Sequence, residues 1–594
     1  MYQDQSRRYS RVPPRCSVGA SEHLFSMLSV IGLYKYLGLA FVGQLYDLEK
    51  YFDKEVLFLV LDSLYSSSGV KGKDYRNIYL MNKRNRIRVK TGAGYSEYAE
   101  AGELLPQGSG GAALYSQKYI DSKVDQMFRG SSDEFRYGKV LGRPAIWMDD
   151  IFRGVGSVNE AIAGNIKLDM VASLCQLSFH PDKTGYILMG TEEQKKEMRK
   201  EIYEKPIMCG NIKTKEKEAD KWLGFWLHSG GLSESVAKTV HERIKKVKGA
   251  LYEAVAVVED YRAVRISGFQ TAMDLWEPAI LPSLLNNFEV WVEITPETEK
   301  QLEDLQFKYL CLVLQVGPGT PRPALLSQTG LLGMKFRIWI EKVLMIHHLR
   351  GLEETALASN IWSEQREKDW PGLVKEVRSI CEILEIDDIN EMELEHVNIK
   401  NLRAEVTEAC KMRNEDEMKA KMRKKCDDIK EDDFKLQDYF KDLNLYEARE
   451  LFKIKSNMNK VRGNYKNMPE NKAAGWICVG CTQEAELNSH IMTCKVWWNT
   501  SGKSWSGGVI SCQRRSKEVP PPLAPLPPFS PTPGLLASLS PLGWRSGGGR
   551  TLCCLVSTAV WTSAPFVITL FYRIWTHYDT FIHTGISAMR LESS

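Results

Sequence analysis

Apolar and polar positions change their rhythm twice along this chain. From Leu24 to Val42 the residues are almost continuously apolar, which predicts a buried helix-like stretch behind a basic, Pro-containing arm. From Leu45 to about Gly190, short apolar runs alternate with Gly-containing turns, the pattern of a mixed sheet with packed helices. One of these runs is Ala145, Ile146, Trp147 and Met148. It is separated from Ile151 and Phe152 by Asp149 and Asp150, which predicts a hairpin with acids at its tip. From Ser233 the period becomes helical. Val236, Val240, Ile244, Val247 and Leu251 recur at three and four, with Lys238, His241, Lys245 and Lys248 on the opposite face. Residues 375–470 are dense in charge and nearly free of Gly and Pro, which predicts long exposed helices.

Composition narrows the class. A chain of 594 residues forms several domains, because single cores stop growing near about 250–300 residues. The net charge of +4 is too small to indicate a nucleic-acid partner without local clustering. Thirteen Cys, an odd number spread along a long chain, argue against a disulfide framework and for a reducing, intracellular compartment, nuclear or cytoplasmic. The first residues lack an apolar core after their basic positions, so no signal peptide is expected.

Three blocks carry the candidate chemistry. They are YDLEKYFDKE with Asp47, LPQGSGG with Gln107 and Gly108, and WMDDI with Asp149 and Asp150. Singly, each has an ordinary reading: a helix N-cap, a Gly-rich loop, a solvated turn. In this order they resemble the palm of a reverse transcriptase. The resemblance continues through Lys183 in LSFHPDKTGYILMG, Lys221 to Gly224 (KWLG), and the segments SLLNNFEVWVEI, LEDLQFKYL and FRIWIEKVLMIHHLRGL. It reaches FKIKSNMNKVRGNYKN and the Cys/His cluster behind it. Together they are similar to the reverse transcriptases of non-LTR (LINE-like) retrotransposons, from about Gly43 to Trp498.

The resemblance implies an α+β right-hand polymerase, in which a palm of mixed or antiparallel sheet with helices is followed by a helical thumb. The expected divisions are 1–42, truncated fingers or an N-terminal arm; 43–225, palm with primer grip; 226–300, thumb-like helices; and 301–470, a helical C-terminal region. A small zinc module at 471–499 and a Pro/Gly-rich disordered tail at 500–594 complete them. It also implies an RNA-directed DNA polymerase using two Mg²⁺ ions, held by Asp47 and Asp149 with Asp150 as the neighbouring carboxylate. Lys183 would serve the departing pyrophosphate, and Phe52 would lie under the sugar and reject a ribose 2′-hydroxyl. Gln107 and Gly108 would approach template and nucleotide, and Lys238, Lys245 and Lys248 would grip phosphate. RNA template, DNA primer and deoxynucleoside triphosphates are the implied partners. No endonuclease segment is recognised, so a separate nuclease is expected to complete insertion. The alternative reading is a catalytically inactive, nucleic-acid-binding remnant of such an element.

Two features of the C-terminal part stand on their own residues. Cys478, Cys481, His490 and Cys494 form C-x2-C-x8-H-x3-C, a four-ligand spacing that suits structural Zn²⁺. Lys472, Trp476, Lys495 and Trp497 flank it with charge and stacking surface. Beyond residue 500, VPPPLAPLPPFSPTPG predicts extended, disordered chain, and GWRSGGGR a flexible linker. Residues 552–572 carry no charge and are long enough to span a bilayer, but Ser, Thr and Pro565 dilute them, and the expectation is against a membrane anchor.

Overall fold

The computed structural model describes residues 19–456 apart from 84–85, 93, 101–104, 106–109, 130–135, 142–143, 264–267, 355, 394–397 and 423–434. The architecture is mixed α+β, mostly helical around one small sheet. Five strands build that sheet: β1 (Phe41–Asp47), β2 (Ala145–Trp147), β3 (Asp150–Val155), β4 (Gly185–Met189) and β5 (Lys215–Glu216), in the order β5-β4-β1-β3-β2. Only the β4–β5 pair is parallel. A separate hairpin, β6 (Ala219–Trp222) and β7 (Phe225–His228), turns at Leu223 and Gly224, both at positive φ. The KWLG block is therefore this hairpin's turn.

The N-terminal apolar stretch divides in a way its composition conceals. It forms α1 (Ala20–Tyr36) and then enters β1, so Phe41 and Val42 are strand rather than helix. Gly38 at φ 68° supplies the left-handed residue that ends the helix. Alternation along β1 then sorts its neighbours. Phe41 and Leu45 face the core that contains α1, while Val42, Gln44 and Tyr46 face the opposite side. On that side lie α2 (Gly110–Phe128) and α3 (Val158–Leu174).

Buried polar groups fix how α3 sits on the sheet. Arg153, 1% exposed, donates to Gln44 Oε1 at 3.1 Å and to the Glu160 carbonyl at 2.8 Å. Gln44 donates in turn to Asn165 Oδ1 at 2.6 Å, the Tyr46 hydroxyl donates to the same oxygen, and Asn165 donates to the Met208 carbonyl at 2.7 Å. A buried network of this kind fixes one register between helix and sheet. It holds β1 and β3 in place behind the acids at their ends.

On the other face Gly43 and Gly154 are cross-strand partners, which leaves room for the stacked rings of Phe41 and Phe152. A Cβ on Gly154 would lie 2.5 Å from the Phe41 ring, which Tyr34 and Phe152 hem in; a Cβ on Gly43 would lie 3.1 Å away. Gly154→Ala should therefore cost about 1–3 kcal/mol of stability through overpacking. Gly43→Ala should cost distinctly less, and urea denaturation of the two variants would read the difference.

The helical remainder packs on the Phe41 side. In α4 (Leu232–Ala263), Val236, Val240, Val247, Leu251 and Val258 are buried in one core with α5 (Pro296–Leu314), α6 (Met334–Arg350) and α7 (Leu373–Leu384). The charge-dense region follows the expected pattern in one part and departs from it in another: the helix Ile399–Met422 is long and largely exposed, whereas α7 is not. Leu373, Val374, Val377, Ile380, Cys381 and Leu384 of α7 are all buried, and the charges lie on the outer side of an amphipathic helix. The five Cys among the described residues are buried thiols. Among these residues no helix is long and apolar enough to cross a membrane. The four zinc-ligand candidates, the tail and its apolar run at 552–572 lie outside the described residues.

Candidate active site

Two chain reversals bring the acids together. β1 runs out at Asp47, whose partner across the ladder is Asp150, the first residue of β3. Directly opposite residues of an antiparallel pair carry their side chains on the same face. The β2–β3 hairpin turns through Met148 and Asp149, and the Leu48 amide donates to the Asp149 carbonyl at 3.1 Å, which ties the tip to the strand end beside it. Met148 holds φ 57°, a left-handed conformation that costs a non-glycine residue about 1–2 kcal/mol.

A third segment closes the cluster. The His180 amide donates to the Asp47 carbonyl at 2.8 Å, and the chain then turns back through Lys183 into β4. Lys183 Nζ lies 3.0 Å from both carboxylate oxygens of Asp47. Its side chain is 60% exposed and that of Asp47 18%, so the ion pair stands at the rim of the site.

The charge balance is unfavourable to the two other acids. Burial and then the neighbouring Asp47 charge raise Asp149 above the usual carboxylate range, against which its own backbone and Lys183 pull. Asp150 is pushed up to about 6 by burial, then by Asp149 and Asp47. The bond to Asp47 raises Lys183. One lysine does not neutralise three carboxylates, and the cluster keeps a deficit of positive charge.

A cleft of about 430 Å³ opens over these groups, lined by Asp47, Leu48, Glu49, Lys50, Tyr51, Phe52, Asp149, His180 and Lys183. Phe52 stands on its wall, edge-on to the buried Tyr51 at 5.3 Å between ring centres. The Tyr51 hydroxyl donates to the Ser116 carbonyl at 3.2 Å, and Ser116 Oγ donates to the fully buried Glu55 at 2.8 Å. Burial pushes Glu55 up to about 7.

Asp47, Phe52, Asp149 and Lys183 thus share one cleft, with Asp150 beside it. Gln107 and Gly108 fall outside the described residues. Of the three candidate lysines on α4, Lys245 and Lys248 are exposed, whereas Lys238 is half-buried, paired with Glu242 at 3.2 Å and lying over the Trp226 ring. Its charge is already engaged. Nearby Arg243, buried, donates to the carbonyls of Gly224, Leu284 and Asn286 and fastens α4 to the β6–β7 turn. His180, Ser116 and Gln117 are contacts the sequence pattern does not single out. His180 lies within LSFHPDKTG; its amide binds the Asp47 carbonyl, and its ring accepts from the Asp182 amide at 3.3 Å.

No protein-family model matches the chain, and no curated protein matches it. Among solved structures, one similar chain is telomerase from Candida albicans in complex with a fragment of telomeric RNA. The TM-score is 0.27 and the identity 11%, over 60% of this chain and 56% of that one. The likeness is slight. This chain spans little more than half of the telomerase chain, and at this level the similarity assigns neither fold nor activity.

The donor chemistry bears on what the cleft can hold. Carboxylate oxygens at one strand end, with room above them, suit a hard divalent cation such as Mg²⁺, which takes few protein ligands and keeps positions for substrate phosphates. Among the described residues no three Asp, Glu, His or Cys side chains already stand at metal-cage spacing. The three acids are neighbours around an open cleft, and Lys183 is the cation on Asp47.

Proposed function

We propose that this chain is an RNA-directed DNA polymerase of the non-LTR retrotransposon type, with residues 43–225 as palm and α4 within the thumb. The observation that carries the reading is the joining of Asp47, Asp149 and Asp150, from segments about 100 residues apart, beside Lys183 and Phe52 at a single cleft.

Asp47 and Asp149 would hold the Mg²⁺ pair, with Asp150 adding negative charge beside them. Bound there, the cations would supply Lewis acidity at the primer 3′-hydroxyl and charge stabilisation at the departing pyrophosphate. Lys183 lies near enough to leave Asp47 and face that pyrophosphate, neutralising it or giving it a proton. Phe52 would lie under the sugar of a deoxynucleotide and exclude a 2′-hydroxyl by size. Gln107 and Gly108 would line the template side, where Gly permits close backbone approach. Cys478, Cys481, His490 and Cys494 would hold a structural Zn²⁺, and a separate endonuclease would supply the nick for insertion.

The test is primer extension on an RNA template by the purified full chain with Mg²⁺. Incorporation of deoxynucleotides is expected, and none at any Mg²⁺ concentration overturns the reading. A second reading, a remnant that binds nucleic acid without catalysis, is favoured by one observation: the Lys183 ammonium occupies the Asp47 oxygens that a cation would need.

Under both readings α4 grips phosphate, and a prediction follows from its exposed lysines. Replacing Lys245 and Lys248 together by Gln should lower the salt slope of RNA binding by roughly 2, one per neutralised phosphate contact. Lys238→Gln should change it little, because Glu242 already holds that ammonium. Filter binding across a salt series measures both.

A further inference from the structure

We propose that Gln117 is the positioning residue of the acidic hairpin: its side-chain amide holds the turn through which Asp149 and Asp150 are presented to Asp47. The functional consequence rests on the polymerase reading above; the structural part does not.

The hairpin needs an outside support. Its turn places Met148 in a left-handed conformation, at the first position of a two-residue turn, where Gly is the usual occupant. The β2 strand is three residues long and lies at the edge of the sheet, so among the described residues the backbone groups on its outer side have no neighbouring strand. A short edge strand ending in a strained turn fixes its tip poorly by itself.

Gln117 stands where a neighbouring strand would be. Its Oε1 accepts from the Met148 amide at 2.6 Å, and its Nε2 donates to the Ile146 carbonyl at 2.9 Å. Residues two apart on a strand direct their backbone groups to the same side, and a primary amide offers one donor and one acceptor in the geometry of a peptide group. The side chain therefore extends the ladder by one rung and brackets Trp147, immediately before the acids. Nε2 also donates to Asp121 Oδ1 at 2.8 Å, one helical turn along α2, which fixes which end of the amide faces which partner. Partial burial pushes that Asp121 carboxyl up to about 7.

The neighbouring residue completes the arrangement. Ser116 takes the Tyr51 hydroxyl on its carbonyl and gives its own hydroxyl to Glu55, in the segment that follows Asp47. Two consecutive residues of one helix thus grip the two carboxylate-bearing segments. Ser116 holds the Asp47 side and Gln117 the Asp149–Asp150 side, and the rigid helix between them sets the spacing of the acids. No group here touches substrate; Gln117 acts through the backbone of the hairpin.

The test compares the full-length wild type with Gln117→Leu, which keeps bulk and loses all three bonds, and Gln117→Glu, which keeps shape and loses the donor. Hydrogen exchange should quicken about tenfold at Ile146–Ile151 in Gln117→Leu and stay unchanged in α6, the internal reference for global stability. In RNA-templated extension kcat should fall about 100-fold while KM for deoxynucleotide stays within about threefold, because misplacement of the reacting groups leaves substrate contacts intact. Gln117→Glu should show the same split.

Unchanged exchange at Ile146–Ile151 in Gln117→Leu would overturn the proposal. So would equal acceleration throughout the chain, the mark of a general packing role. A wild type that extends no primer, yet shows the local exchange change in Gln117→Leu, would sustain the clamp and sink the polymerase reading. The two failures are therefore separate.

Discussion

Asp149→Asn should abolish RNA-templated extension, with a fall in kcat of about 10³-fold or more, while the fold and RNA binding survive. Asp149 lines the cleft with Asp47, and loss of one charge-stabilising donor at an active site costs on the order of 10²–10³-fold even when the group is neutral. A carboxylate that anchors a divalent cation carries more. The substitution preserves shape and removes charge, so the effect should lie in kcat and in Mg²⁺ dependence, with RNA affinity nearly unchanged. Retention of a tenth or more of the rate in steady-state extension would remove Asp149 from the metal-holding set.

Asp150→Asn should do two opposite things, lower activity and stabilise the cation-free protein. Burial and the two neighbouring acids push Asp150 up to about 6, above an ordinary aspartate near about 3.9. Between these values the folded chain binds more protons than the unfolded chain. This residue's contribution to stability is thus present at low pH and lost as pH rises through about 6. At pH 7.5 its ionisation in the fold costs about 1–2 kcal/mol, after allowance for the screening of a half-buried group. The amide carries no such cost. In chelator, the urea midpoint of Asp150→Asn should exceed that of the wild type at pH 7.5 and match it near pH 4. A variant less stable than wild type at pH 7.5 would show that packing, not charge, governs this position.

Some of this structure can be read from the chain alone, and the rest has physical reasons for being hidden. The stripe Val236, Val240, Val247 and Leu251 is legible because a long helix repeats its buried face. The hairpin at Asp149–Asp150 is legible because two acids interrupt an apolar run. The break between α1 and β1 is not, since both elements are buried and a buried helix and a buried strand are equally apolar; only Gly38 marks it. The buried face of α7 is concealed by the charges around it. The hold of Gln117 on the hairpin leaves no pattern, because the two partners there are backbone groups 29 and 31 positions away, and backbone carries no sequence signal. The roles given to Asp47, Lys183 and Phe52 come from resemblance to a family, since periodicity can place a residue at a cleft but cannot name its chemistry.

The placement of α1 has a consequence for how the chain is made. This helix supplies Leu24, Phe25, Leu28 and Ile31 to the core beside β1, yet its polar anchors lie far along the chain: Glu22 pairs with His348 at 2.6 Å, and Ser29 accepts from Gln365 at 3.0 Å. At about 5–20 residues per second, the ribosome delivers those partners roughly half a minute after α1 emerges. Until then the segment bearing the acidic cleft waits with that face of its sheet incompletely packed, and the apolar side of α1 is only partly covered. Maturation of the cleft is therefore timed by the distal half of the chain, and a nascent chain stalled before residue 348 would carry every candidate acid on an unfinished sheet.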